Sequence, residues 1–354
     1  MRYVQPRPSS IVAALYTLRD LNVDLAILHG PSGCSFKHAR LLEEDGIRVL
    51  TTSLGDEEFI FGGQNILEDV LRYAEKEFSP RRIAVVGTCV SMIIGEDLDA
   101  AIEASGITTP AIGVSIHAGF RENIAGVIAA LEPAAKAGWI SEEELERQRG
   151  VLASANQTER DRGAACKTYI APSRGDLKHV AAAKLAELLR SGKKGMAIMN
   201  AKKETAYMFA DHLCAVYECA PEANVTFVAN LEARGLPKVR GDAAMILAEL
   251  RARGIDPELI GALDEYGGNG PRIAERISEV KPEFILLVGV PHAVSPAALA
   301  GITVFSVTNG PRQVLPLKEQ GHAHVMVEVD LHPKTLGVHN IVESEFGAVL
   351  RSMR

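Results

Sequence analysis

Apolar runs rich in β-branched residues alternate with amphipathic stretches along nearly the whole chain. "VDLAILHG" (23–30) reads as a buried strand, "SFKHARLLEED" (35–45) as a helix and "IRVLTTSL" (47–54) as a second strand. "QNILEDVLRYAEKEF" carries apolar residues at 66, 67, 70, 71 and 74, which fall on one face of a helix. "RRIAVVGTC" (81–89) predicts a third strand, "EDLDAAIEASG" (96–106) a helix, "AIGVSI" (111–116) a strand and residues 121–136 a further helix. Strand and helix in regular alternation predict a parallel sheet with helices on both faces.

The pattern breaks at "GWISEEELERQRGVLASANQTERDRG" (138–163), which is charged and poor in strand formers, and then restarts. "GMAIMNA", "NVTFVAN", "FILLVGV", "ITVFSVTNG" and "HVMVEVDL" are strand candidates, with helices predicted near 203–219, 239–254 and 270–280 and a last one over 334–353. The expected fold class is α/β, two or three Rossmann-like, doubly wound units with clefts at the carboxyl ends of their strands. The expected domains are 1–137, a helical connector at 138–193, a middle Rossmann-like unit at 194–291 and a carboxyl-terminal α/β portion at 292–354.

Composition narrows the function classes. A net charge of -7 offers no basic face for nucleic acid or an anionic membrane. No apolar run reaches the length of about 18 residues expected of a membrane span. The start, "MRYVQPRPSS", lacks a signal-peptide layout, so a cytoplasmic location is expected. Five scattered cysteines, at 34, 89, 166, 214 and 219, form no CxxC pair and no disulfide framework. A GxGxxG fingerprint, a P-loop and a GxSxG elbow are all missing; "SGKKG" (191–195) lacks the P-loop spacing, so this chain is not expected to hydrolyse ATP.

The chemistry concentrates in two turns. Gly30-Pro31-Ser32-Gly33-Cys34 follows the first strand and Gly87-Thr88-Cys89 the third. In a parallel sheet both turns open on the carboxyl edge, so two cysteines 55 residues apart (89 minus 34) can be neighbours in space. Each precedes a helix, whose amino-terminal N–H groups favour a thiolate. Gly30 and Gly33 let backbone approach something bulky. Buried packing is the usual fate of free cysteine, and a nucleophile beside His29 or His38 is a third reading. Two cysteines at corresponding turns favour a metal site. Between them, "GDEEFIFGGQN" (55–65) places Gly62-Gly63 after an acidic stretch; alone it reads as a loop that starts a helix.

Together these three markers resemble component 1 of the nitrogenase family. The matching residues are Gly30 to Cys34, Asp56 to Gly63, and Cys89 through Ile94-Gly95-Glu96-Asp97, over roughly residues 25–125. The resemblance implies paired subunits of Rossmann-like domains, an iron–sulfur cluster at the subunit interface, and electrons delivered by an ATP-hydrolysing iron protein. It assigns Cys34 and Cys89 as metal ligands and Gly30, Gly33, Gly62 and Gly63 to the cofactor's surroundings. The family's additional upstream cluster cysteine has no counterpart in "MRYVQPRPSSIVAALYTLRD". Two thiolates per chain cannot complete a cubane, so one 4Fe-4S cluster per homodimer is implied, with two Cys from each subunit.

A short, homodimeric member of this family resembles the branch that reduces and cyclises a nickel tetrapyrrole, Ni-sirohydrochlorin a,c-diamide, with lactam closure on the way to coenzyme F-430. Nickel would then enter only with the substrate, and ATP would be used by the partner reductase. The alternatives are another nitrogenase-like tetrapyrrole reductase, a cofactor scaffold, or a non-redox α/β ligand-binding protein. Arg121 and Arg312 are candidates to bind substrate carboxylates, and His117 and His292 to donate protons or approach the nickel. For each, a capping or solvated role competes. Cys166, Cys214 and Cys219 read as packing residues, and Glu96-Asp97 as a helix cap.

Overall fold

A computed structural model describes residues 9–120, 123–164, 169–328 and 335–354. The chain divides into two compact units, one formed by residues 6–149 with 236–238, the other by 150–235 with 239–354.

In the first unit the elements run α1 (Ser10–Asp20), β1 (Leu25–His29), α2 (Phe36–Glu43), β2 (Arg48–Thr51), α3 (Asp56–Phe61), α4 (Gln64–Phe78), β3 (Ile83–Gly87), α5 (Cys89–Ile94), α6 (Leu98–Ser105), β4 (Ala111–Val114) and α7 (Ile124–Lys136). The four strands are all parallel, in the order β2-β1-β3-β4. Every residue of β1 and β3 is buried, as continuous apolar runs in a sheet covered on both faces require. The apolar stripe of α4 delivers Leu67, Leu71 and Ala74 onto Leu25, Ile27, Ile83 and Val85.

α8 (Glu142–Asp161) occupies the charged segment expected to be a helical connector. The second unit continues with α9 (Lys178–Arg190), β5 (Gly195–Asn200), α10 (Ala206–Cys219), β6 (Val225–Ala229), α11 (Pro237–Ala252), β7 (Glu258–Leu259), α12 (Gly270–Val280), β8 (Phe284–Gly289), β9 (Thr303–Thr308), α13 (Val314–Glu319), β10 (His324–Val327) and α14 (Glu345–Arg351). One parallel sheet, β10-β9-β8-β5-β6-β7, spans the expected middle and carboxyl-terminal portions. Its order reverses between β5 and β8, the doubly wound arrangement the alternating pattern predicts.

Several elements differ from the expectation, among them the unanticipated helices α1, α5 and α13. The acidic stretch before Gly62-Gly63 is a helix, α3, because Glu58 turns back to accept the Gly55 N–H at 2.7 Å. The last helix is shorter than 334–353: Gly337, at φ +73°, lies in the left-handed region, and the helix restarts only where Ser344 accepts the Gly347 N–H. The edge strand β7, two residues long, leaves no period-2 pattern to detect.

Candidate redox site

The register pairs His29 with Gly87 and Val86 with Val114, so the turns after β1, β3 and β4 leave one edge of the sheet together. They are tied to each other by side chains. The Thr88 hydroxyl donates to the His29 carbonyl at 2.9 Å, and the Thr52 hydroxyl accepts the Gly30 N–H at 3.0 Å. A Cβ at position 30 would lie 2.2 Å from Thr88 Oγ1, so glycine is obligatory there for packing of turn on turn. At Gly33 a Cβ would meet nothing within 4 Å; its surface is left open beside Cys34.

This scaffold brings Cys34 and Cys89 together, both half-buried and unbridged. Burial pushes the Cys34 thiol up, Ser35 opposes that, and the neighbouring Cys89 adds to the rise. Both cysteines thus stand in turns at the carboxyl edge, after the paired strands β1 and β3. Cys89 begins α5, and its Sγ accepts the Ala118 N–H at 3.3 Å from the β4 turn. In the same turn His117 stacks on Phe120 at 4.3 Å, its Nδ1 accepting the Gly119 N–H at 3.0 Å. Among the described residues, no group of three or more His, Cys, Asp or Glu gathers that could hold a metal ion within one chain.

Glu96 corrects the sequence reading. Asp97 caps α6, accepting the Ala100 N–H at 3.0 Å, but Glu96 reaches elsewhere. Its Oε1 accepts the Gly63 N–H, and its Oε2 lies 3.7 Å from Nε2 of the buried His29. One carboxylate thereby ties the third marker to the second, and to the residue that precedes the first. Burial pulls His29 below its usual value and Glu96 partly restores it. A Cβ on Gly63 would strike Leu54 at 2.6 Å, while Gly62, at φ +93°, ends α3.

The elements that follow the site's strands carry apolar side chains that face solvent. Phe36 on α2, Phe59, Ile60 and Phe61 on α3, Ile93 on α5 and Phe120 after β4 are all exposed, Phe61 at 81% and Ile60 and Ile93 at 73%. Exposed large apolar side chains gathered on neighbouring elements mark a surface built to be covered.

The remaining candidates distribute as follows. His292 and Arg312 belong to the second unit. There the His292 ring is buried with Nε2 3.3 Å from Glu159 Oε1, and the Arg312 guanidinium lies over the Tyr169 ring at 5.4 Å. Arg121 and Cys166 fall outside the described residues. Cys214 and Cys219 are buried on α10, with burial raising the Cys214 thiol to about 12. Among the described residues no helix is long and apolar enough to cross a membrane.

The model of the nitrogenase component 1 type oxidoreductase family matches residues 10–150, the segment that carries the first parallel sheet and both cysteine turns. Similarity to the nitrogenase molybdenum-iron protein alpha chain of Clostridium pasteurianum is local, 31% identity over 112 residues, or 28% of this chain and 20% of that one. Full-length similarity lies with a narrower group. Component CfbD of the Ni-sirohydrochlorin a,c-diamide reductive cyclase complex of Methanosarcina acetivorans is 54% identical, covering 99% of this chain and 97% of the relative. Its namesake from Methanothermobacter thermautotrophicus is 47% identical, covering 98% of each. The chain belongs to this CfbD family.

Proposed function

We propose that this chain is the catalytic component of a nitrogenase-like reductive cyclase, acting on Ni-sirohydrochlorin a,c-diamide with closure of a lactam ring in coenzyme F-430 biosynthesis. The observation that carries the reading is the pairing of Cys34 with Cys89 in a chain that matches named components of that complex over nearly all its length.

The residues present fit half of a four-thiolate site. Cys34 and Cys89 stand in the turns after the paired strands β1 and β3, the face of Gly33 is open, and the Ala118 N–H already points at a sulfur. We assign them as two of the four thiolates of a 4Fe-4S cluster, the other two coming from a second copy across a two-fold axis. When bound, the cluster supplies one-electron transfer between a donor and the substrate. The chain's own task is to exclude water and hold the sulfurs. The rim of Phe36, Phe59, Ile60, Phe61, Ile93 and Phe120 covers the site once the second copy docks, and backbone N–H groups stabilise charge on sulfur. Because ligation displaces the Cys34 proton, which burial holds firmly, assembly of the site is linked to proton release.

Electrons are proposed to come from an iron-protein-like ATPase, which supplies the P-loop this chain lacks. Nickel enters with the substrate. The test is anaerobic turnover of Ni-sirohydrochlorin a,c-diamide with that reductase, ATP and an electron donor. Formation of the lactam-containing reduced product by the wild type, and none by Cys34→Ala or Cys89→Ala, is expected. An iron-free protein with full activity would overturn the reading.

A further inference from the structure

The second unit has a polar site of its own. Its sheet order reverses between β5 and β8, and the chain leaves those strands in opposite directions, opening the crevice where doubly wound folds bind ligands. Lys202 follows β5 and His292 follows β8. Glu159, from the end of α8, presents Oε1 to both: 3.3 Å to His292 Nε2 and 3.6 Å to Lys202 Nζ. The Lys202 ammonium lies 4.9 Å from the centre of the Tyr266 ring, with a third of its side chain exposed.

Several features separate this cluster from ordinary packing. His292 is 5% exposed, yet its Nδ1 has no hydrogen-bond partner, an arrangement that is costly if the ring serves packing alone. The ring is not needed to hold its loop, because Arg162 donates to the carbonyls of His292 at 2.7 Å and Ala293 at 3.0 Å. Beneath the carboxylate, a Cβ at position 163 would lie 2.1 Å from Glu159 Oε2, so the chain keeps glycine there. Glu204 is a second carboxylate that acts on Lys202, and His322 is a further titratable neighbour of His292, its Nδ1 facing Ser306 Oγ at 2.6 Å. Burial and the nearby His292 pull it to about 4, so it stays neutral.

We propose that Glu159 and His292 form a proton-transfer pair that protonates a reduced, electron-rich carbon of a tetrapyrrole bound at this crevice. The inference rests on the reductase reading above. The His292 imidazolium passes its Nε2 proton to the Glu159 carboxylate, and the resulting carboxylic acid delivers it to the substrate carbanion. A C–H bond forms, the carboxylate is restored with its charge balanced by Lys202, and the neutral imidazole takes its next proton from water. Glu159 is the catalytic residue and His292 positions and supplies the proton.

The test joins proton NMR of the anaerobically purified protein to turnover. A downfield ring N–H resonance is expected that is lost in His292→Gln and moves upfield in Glu159→Gln, as a carboxylate partner requires. Turnover should fall at least about 100-fold in either variant, as loss of general acid catalysis does, while cluster absorption and partner-driven ATP hydrolysis are kept. Wild-type turnover by His292→Gln, or a resonance indifferent to Glu159→Gln, overturns the pair and leaves the function standing. A wild type that keeps the resonance but does not convert the tetrapyrrole overturns the reductase reading, and with it the role assigned to the pair.

Discussion

Gly30 and Gly33 are three residues apart in one turn and are needed for different reasons. Alanine at 30 collides with Thr88, whose side chain is itself locked by the His29 carbonyl, so Gly30→Ala should destabilise by about 1–3 kcal/mol. Alanine at 33 meets only open space, so Gly33→Ala should melt within about 0.5 kcal/mol of wild type. If a bulky cluster sits against that face, the same variant should nevertheless bind markedly less iron. Thermal melts of apoprotein beside iron analysis of holoprotein separate the two effects. Wild-type iron in Gly33→Ala would show that nothing occupies the face. At His322 the sign of a pH effect follows from burial. Above pH 6.5 the ring is neutral whether folded or not, and stability is unaffected. As pH falls from 6.5 towards 4 the unfolded chain takes up a proton that the folded chain refuses. Stability should drop by on the order of 3 kcal/mol across that window and then level off for this group. Urea unfolding at several pH values should show a shallower slope in His322→Gln; equal slopes would locate the acid sensitivity elsewhere.

At the scale of elements, the turns after β1 and β3 were legible because parallel strands leave no choice of edge. Residues 30–34 and 87–89 had to open on one edge once their strands were recognised, and the pairing of β1 with β3 makes the two turns neighbours. The tether through Glu96 was not legible: it joins residues 33 and 67 positions away, and no local pattern reports a carboxylate that bends back to Gly63 and His29. α3 was missed for a related reason, since "DEEFIF" buries nothing against its own unit and shows no amphipathic period. A helix with three exposed large apolar residues in sequence, Phe59, Ile60 and Phe61, is better explained by a partner than by its own fold. Ile60→Glu with Phe61→Glu should therefore weaken dimerisation at least about tenfold, about 1.4 kcal/mol, without lowering the melting temperature of the dilute protein. Sedimentation over a concentration series reads this directly, and an unchanged dimer would move the interface off α3.

For the whole molecule, alternating apolar and amphipathic segments were enough to anticipate two parallel α/β sheets, because a strand buried on both faces writes a continuous apolar run. Strand order was beyond the pattern. The reversal between β5 and β8, which places His292 and Lys202 beside one crevice, depends on crossovers that no local window encodes. The central claim is that one chain holds half of a redox centre and a second copy completes it. Native mass spectrometry of the anaerobically purified protein tests this most directly. The expected result is a particle of two chains carrying about four irons and about four sulfides, about two of each per chain, lost together in Cys34→Ala and kept in Cys214→Ala. A single chain that retains a whole cluster, or a dimer whose iron survives the loss of Cys34, would contradict it.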